Sequence, residues 1–400
     1  MDKRKDSKGR VLRKGENERK NGTYMYRYTD IDGTRKVIYA QDLNILREQE
    51  KLIQRDLDDG IGYKSGTITF NEYFKKYLSL KGNISPSTKR NYKRSWENYI
   101  ENTRFGNMPL KDIAKSDVIL LLKSMSDKGL GKPSINTMVA GVLSPCLKMA
   151  VEDNIIRNNP CINCRKEIRG EDTVHETALT TVQQKKFLTY VKNSKYAYYY
   201  PLFSFMLETA LRVGEVCGLT WSDVDLEHGF VHITHQLQYT SAGKDNCQYQ
   251  MLTPKSKAGI RNVPLSDVAK EALTEQKRNQ TEMGKKTQIV VDGYEDFVFS
   301  NRDCKPFITQ TVGRILHRIV DDYNSDIKKF GDTFEPLPHI HPHLLRHTGC
   351  TRMAEAGIDP RTLQDIMGHA SMRMTMELYN HVTDERLSNE IQKLNNRSIS

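Results

Sequence analysis

The spacing of hydrophobic and polar positions changes along this chain, and each change marks a different kind of element. In "GTYMYRYTDIDGTRKVIYA", two alternating runs flank Asp32–Gly33, which predicts a β-hairpin. Tyr24, Tyr26 and Tyr28 share one face of it, Met25 and Arg27 the other. "GRVLRKG" just before it offers a third strand. Apolar Leu43, Leu46, Ile53 and Leu57 then follow a helical period that closes at Gly60, so one helix can cover one face of a small sheet.

"GIGYKSGTI", with three glycines and a serine, is a connector. Beyond it the period is helical in "FNEYFKKYLSL", "SPSTKRNYKRSWENYI", "LKDIAKSDVILLLKSM" and "PSINTMVAGVLSPCLKMAVEDNII". This predicts a four- or five-helix domain ending near "RNNPCINCRKEIRGED". A longer mixed region follows, with a helix over "PLFSFMLETALRVGEVCGLTWSDV" and strands in "FVHITHQL" and "NVPL". Helices return around "HPHLLRHTGCTRMAEAGI", "TLQDIMGH" and "TMELYNHV", and Leu387, Ile391 and Leu394 form a stripe in the tail. The expected fold is multidomain α+β. It combines a three-stranded sheet plus helix, an all-helical domain, and a mainly helical domain with a small antiparallel sheet.

Four hundred residues suit two or three domains. The strongly aliphatic run Val118–Leu122 is short for a membrane span, and "MDKRKDSKGR" has no apolar stretch behind its charges. Seven irregularly spaced cysteines read as reduced cytoplasmic thiols, and the lone Cys161–Cys164 pair is weak evidence for zinc. The net charge of +11 is uneven. Residues 1–66 carry 16 Lys/Arg against 12 Asp/Glu, residues 67–170 carry 18 against 9, and residues 171–400 carry 27 against 29. The basic excess of the first 170 residues fits a grip on a polyanion, although a basic soluble surface would look similar.

Lys89, Arg90, Lys93 and Arg94 recur at helical spacing, as phosphate contacts require. In the sheet module, Arg27 on the open face and Lys14 at its flank, with Arg10, Arg13, Lys20 and Lys36, suit insertion into a DNA groove. The competing reading makes the tyrosines the helix-facing core and leaves the basic residues solvated.

Breaking a DNA strand with side chains alone needs a nucleophile, cations for the phosphoryl oxygens, and an acid for the leaving sugar oxygen. Arginine suits the clamp because its planar fork holds two oxygens and keeps its charge. "HPHLLRHT" sets His343 and Arg346 on one helical face. Arg212 sits in apolar "ETALRVGEV", where an ion pair with Glu208 is the plain alternative. Lys255 precedes Ala258–Gly259, a possible hairpin tip. His369 follows Met367–Gly368, and Tyr379 stands ten residues further on.

In order and together, "TALRVGEVCGLTWSDVD", "KSKAGIRNVPL", "HPHLLRHTGCTRMAEAGID" and "LQDIMGHASMRMTMELYNHV" resemble the signature blocks of the tyrosine recombinases, or phage integrases. The likeness covers about residues 175–383. It implies that Arg212 and Arg346 clamp the scissile phosphate and that His343 transfers a proton. It gives His369 a hydrogen bond to a phosphate oxygen and makes Lys255 the acid, with Lys257 two residues away as the alternative lysine. Tyr379 becomes the nucleophile of a 3′-phosphotyrosyl link. Ala210 departs from a frequent family glycine.

The resemblance extends to residues 67–170 as a core-binding domain. Residues 1–65 resemble the arm-binding domain of integrases from Gram-positive conjugative transposons, and 384–400 form a tail able to dock on a neighbour. It implies double-stranded DNA as substrate, at core and arm sites, and a homotetramer on that DNA. An excisionase and a host DNA-bending protein are implied as accessories, with no metal or other cofactor, no membrane, and a place at the bacterial nucleoid. The alternatives are a type IB topoisomerase and a DNA-binding regulator that has lost catalysis. Strand exchange separates the first from a recombinase, and covalent DNA attachment separates the second.

Overall fold

A computed structural model describes residues 4–62, 67–167, 177–241, 247–254, 256–284, 287, 289–329 and 335–379. The chain divides into two compact units, Met1–His175 and Glu176–Ser400.

In the first unit, strands β1 (Glu16–Glu18), β2 (Tyr24–Thr29) and β3 (Arg35–Ala40) form an antiparallel sheet in the order β1-β2-β3. Tyr24 faces Ala40, Tyr26 faces Ile38 and Tyr28 faces Lys36 across β2 and β3. The three tyrosines lie in a core with Leu12, Leu43 and Leu46, under helix α1 (Leu43–Asp58). Asp42 caps that helix by accepting from the Asn44 N–H. The tyrosines are therefore the helix-facing core. Arg10 is not free either: it donates to Asp6 at 2.7 Å and to the Tyr24 hydroxyl at 2.9 Å.

"GRVLRKG" is not the third strand, since Val11 makes only an isolated bridge to Lys5. That strand is Glu16–Glu18, whose buried Glu16 accepts from Arg47 at 2.8 Å and from the Arg13 N–H at 2.7 Å. A charged residue thus anchors a strand that hydropathy alone would pass over.

The helical part holds α2 (Phe70–Leu80), α3 (Pro86–Trp96), the single-turn α4 (Arg104–Asn107), α5 (Lys115–Asp127), α6 (Lys132–Met138) and α7 (Ser144–Glu152). Thr69 and Glu72 close a capping box on α2. Trp96 stacks on Phe74, and its indole N–H donates to Asn71 at 2.9 Å. Helices α6 and α7 run as one rod through a π-type segment, Val139–Leu143, which accommodates Pro145. This rod, Lys132–Glu152, is long and apolar enough to span a bilayer. Its Ile135, Met138, Val142, Leu143 and Leu147 instead fill the core of the unit. Cys161 and Cys164 lie in the same core, where burial pushes both thiols up.

The second unit opens with α8 (Thr181–Asn193), α9 (Tyr200–Thr209) and α10 (Val213–Gly218). A small antiparallel sheet runs β4 (Val224–Asp225), β5 (Phe230–Ile233), β8 (Arg261–Pro264), beside a two-stranded ribbon of β6 (Gln236–Ser241) and β7 (Cys247–Leu252). Helices α11 (Asp267–Glu282), α12 (Thr309–Lys328), α13 (Pro342–Glu355), α14 (Pro360–Met367) and α15 (Met372–Tyr379) follow. Phe187, Phe203, Phe205, Phe297 and Phe299 anchor the main core.

Strand β7 pairs with β6 and β8 pairs with β5, so the segment between them links two sheets. Ala258–Gly259 is accordingly part of a short 3₁₀ turn, Lys257–Gly259, rather than a hairpin tip. Pro254 has no N–H for a ladder, and a β-carbon on Gly259 would stand 2.4 Å from the Pro254 ring. The tail with Leu387, Ile391 and Leu394 lies outside the described residues.

Candidate active site

The stretch read as one helix is broken. Helix α9 ends at Ala210, which takes the left-handed conformation (φ 49°, ψ 28°) that glycine adopts without strain. The break turns Arg212 into the first, extended residue ahead of α10 (φ −67°, ψ 141°). Glu208 is left on the far side and accepts from Ser266 at 2.6 Å. The partner of Arg212 is Glu215, which accepts from its guanidinium at 2.8 Å and its backbone N–H at 3.0 Å.

Arg346 arrives from α13. Gly349, one turn on, permits the approach: a β-carbon there would lie 2.2 Å from the Leu207 carbonyl oxygen. With α13 packed so closely on α9, Arg346 Nη1 reaches the Ala210 carbonyl at 2.7 Å. The side chain is buried, with only 4% of the residue exposed.

A third arginine, Arg261 at the start of β8, completes the arrangement. It donates to both oxygens of Glu215, at 3.1 and 2.9 Å. The carbonyl end of α14 then receives all three cations in order. Ile366 O accepts from Arg261 at 2.6 Å, Met367 O from Arg346 at 2.8 Å and Gly368 O from Arg212 at 3.1 Å. A helix leaves its last carbonyls without intrahelical partners and carries partial negative charge there. Here those groups hold three guanidiniums side by side.

Gly368 ends α14 in the left-handed conformation (φ 62°). His369 follows, 7% exposed, with its Nδ1 3.0 Å from the Thr375 hydroxyl of α15. Gln364 fixes the same turn by donating to the His369 carbonyl at 3.0 Å. His343 is exposed on the first turn of α13, where its protonated form would disfavour a second positive charge on His369. Tyr379 is the last residue of α15; its backbone is described and its side chain is not. Lys255 lies outside the described residues. Ser256–Gly259, just after it, comes against the site: Ala258 O is 2.8 Å from where a Gly368 β-carbon would stand.

Among the described residues one carboxylate, Glu215, is bonded to this group of three guanidiniums. Burial opposes its charge, but Arg261 and Arg212 hold it below the usual carboxylate range. Burial and the charge of Arg212 push Arg346 down to about 10. Burial, then Arg346, Arg212 and Arg261, push His369 down to about 4. The pocket is therefore short of anions. A bound anion would relieve the repulsion, and a neutral His369 holding Thr375 through Nδ1 could offer it an Nε2–H donor.

This gives an acid-sensitive stability. An unfolded chain protonates His369 near pH 6.5, whereas the folded protein does so only near pH 4. Between those values the unfolded state binds the extra proton, so stability should fall as the pH drops through this window. Above it the residue contributes no pH dependence. Denaturant unfolding of DNA-free protein from pH 7 to 5 should show a shallower loss in His369→Gln than in wild type. Equal slopes in the two proteins would contradict the neutral, buried imidazole.

Among the expected DNA contacts, Lys89, Arg90, Lys93 and Arg94 are all exposed on α3, and Lys93 also pairs with Glu97 at 3.7 Å. They span roughly 140° of arc at about 100° per residue, a single broad basic face. Lys14 and Arg27 are exposed in the sheet module. On the face of the sheet away from α1, Arg27 stands opposite Val37, and Arg19 packs over the Tyr39 ring at 5.0 Å. Lys36 does not join them, since it alternates onto the tyrosine side.

Glu215, Arg261 and Thr375 are the site residues that pattern reasoning left without a role. Glu215 was legible as the residue three after Arg212 once the helix break is known. Arg261 carried a weak signal, a lone cation opening the apolar strand "RNVP".

Comparison with known proteins gives this geometry a context. The model of the phage integrase family matches residues 177–386, that of the DNA-binding domain of Tn916 integrase residues 1–57, and that of a phage integrase N-terminal SAM-like domain residues 69–126. The transposase from transposon Tn1545 of Streptococcus pneumoniae is 33% identical over 98% of this chain and 97% of its own. The transposase from transposon Tn916 of Enterococcus faecalis is likewise 33% identical, with the same coverage. A structure of the Tn1549 transposon integrase in complex with a circular intermediate DNA superposes with a TM-score of 0.73 at 29% identity, covering 82% of this chain and 99% of that one. A lambda integrase tetramer bound to a Holliday junction shares the fold, with a TM-score of 0.54 at 20% identity, covering 91% of this chain and 94% of that one. The family match spans more than half of the sequence and the relatives extend over nearly all of it, so this chain belongs to the phage integrase family of tyrosine recombinases.

Proposed function

We propose that this chain, a site-specific recombinase that integrates and excises a conjugative transposon, cleaves DNA through a 3′-phosphotyrosyl link at Tyr379. The observation that carries the chemistry is the cation excess at the end of α14: three guanidiniums on three successive carbonyls, with Glu215 the carboxylate between them. A scissile phosphate supplies the missing anion.

In this reading the unused donors of Arg212 and Arg346 take the non-bridging oxygens, and His369 adds a hydrogen bond through Nε2. The Tyr379 hydroxyl attacks phosphorus and displaces the 5′ oxygen. Its proton passes toward His343, and Lys255 protonates the leaving oxygen. The new phosphotyrosine keeps the energy of the broken phosphodiester, so a 5′ hydroxyl from another strand can reverse the step. Exchange of two duplexes breaks four strands, and one tyrosine per protomer then calls for four protomers. An excisionase and a host DNA-bending protein would act as accessories, and the work lies at the bacterial nucleoid.

The first unit supplies the grip. The basic face of α3 would follow phosphates of the core site, and the open sheet face with Arg27 would read arm sites, with Lys14 at its edge. Protein lacking residues 1–65 should still cut core-site DNA, yet lose arm-site binding and most integration, because tethering by a second module raises local concentration. A truncation that bound arm DNA as well as the full chain in a salt series would contradict this division.

The decisive functional test is strand exchange between two differently labelled duplexes carrying the ends of the element. Recombinant products are expected. Relaxation of supercoils without exchange would support a topoisomerase, and binding without cleavage a regulator.

A further inference from the structure

Arg261 differs from the two clamp arginines in where its donors go. A guanidinium offers five N–H donors. Arg261 makes four hydrogen bonds: Nε to Ile366 O at 2.6 Å, Nη1 to Glu215 at 3.1 Å and Gly259 O at 3.0 Å, and Nη2 to Glu215 at 2.9 Å. Its side chain is 6% exposed, against 39% for Arg212. Among the described residues Arg212 and Arg346 each make two guanidinium hydrogen bonds, which leaves donors for a ligand.

Those four bonds join three pieces of the site that are remote in sequence. One is Glu215, which also holds Arg212. Another is the α14 end, whose next two carbonyls hold Arg346 and Arg212. The third is Gly259, which closes the turn that follows Lys255. Gly368 packs on this brace, because a β-carbon there would lie 3.1 Å from Arg261 Nη1 and 2.8 Å from Ala258 O.

We propose that Arg261 is a positioning residue for strand cleavage: it does not touch the phosphate, but sets Glu215 and the α14 carbonyls so that Arg212 and Arg346 keep free donors facing it. This rests on the proposed reading of the site as a phosphate clamp. Without Arg261, Glu215 keeps Arg212 alone among the described residues to neutralise it. The carboxylate then draws that guanidinium inward, and Ile366 O loses its donor. The clamp persists but is misaimed.

The test uses full-length protein in single-turnover cleavage of a duplex carrying the element's end. The scissile group is either a natural phosphate or a methylphosphonate. The methylphosphonate has a methyl group in place of one non-bridging oxygen, so it carries no charge and makes less demand on the clamp. Arg261→Gln should slow adduct formation roughly tenfold to a hundredfold on the natural phosphate. On the neutral substrate the loss should shrink to about threefold or less, with DNA affinity unchanged on both. Arg261→Lys can still pair with Glu215 but cannot reach all three acceptors, so its loss should be smaller and show the same dependence on substrate charge. If Arg261→Gln melts below the assay temperature, the ratio measured on Arg261→Lys decides. Equal slowing on both substrates, or none on either, overturns the proposal. Failure of the wild-type protein to form any adduct would instead overturn the reading of the site as a phosphate clamp.

Discussion

Tyr379→Phe is expected to abolish covalent attachment to DNA while leaving core-site affinity within about twofold, since phosphate contacts elsewhere supply most of the binding. The change removes one hydroxyl at the end of α15. Phenylalanine keeps the ring and lacks only the nucleophilic oxygen. Denaturing electrophoresis after incubation with a nicked core-site duplex, in which cleavage releases a short fragment bearing a free 5′ hydroxyl and traps the adduct, measures the loss directly. Normal adduct levels in the variant would remove Tyr379 from the chemistry.

The second large effect concerns the clamp, and the two arginines should not lose equally when each becomes lysine. A point charge cannot reproduce a bidentate fork, so each variant should cleave roughly a hundredfold more slowly or worse, about 3 kcal/mol of transition-state stabilisation. Arg346→Lys should be the more damaged. Arg346 is almost fully buried beside Arg212, an environment that already pushes a guanidinium down to about 10. An ammonium, with its lower starting value, loses its charge there more readily. Half-exposed Arg212 has Glu215 beside it, so a lysine there stays charged. Single-turnover rates from pH 6 to 9 separate the two. Arg346→Lys should recover partly toward low pH, and equal losses without any pH dependence would contradict the account of burial.

Local spacing placed residues on their own elements better than it placed those elements against one another. Helical spacing put His343 and Arg346 on one face, and α13 does present both. The ten-residue step from His369 to Tyr379 is likewise the span from the end of α14 to the end of α15. Spacing failed where the backbone changes direction. A continuous helix would pair Arg212 with Glu208, but the left-handed Ala210 ends that helix and hands the arginine to Glu215. Alternation likewise proposed strands without saying which would pair, so "KSKAGI" passed for a hairpin while its neighbours joined different sheets.

Arg261 was hidden for another reason. Its partners Glu215 and Ile366 lie 46 and 105 residues away, and no local pattern encodes a contact at that range. Thr375 shows the same limit on a shorter scale. Its hydroxyl meets His369 only because α15 folds back across the Gly368 turn.

The most direct measurement of the central claim is identification of the residue that carries the DNA. Wild-type protein trapped on a nicked core-site duplex would be digested with protease and nuclease, and the nucleotide-bearing peptide sequenced by mass spectrometry. The expected product is a peptide from the end of α15 with a 3′-linked nucleotide on Tyr379, and a free 5′ hydroxyl on the released strand. Attachment at another residue, a 5′ linkage, or cleavage without any covalent peptide would contradict it.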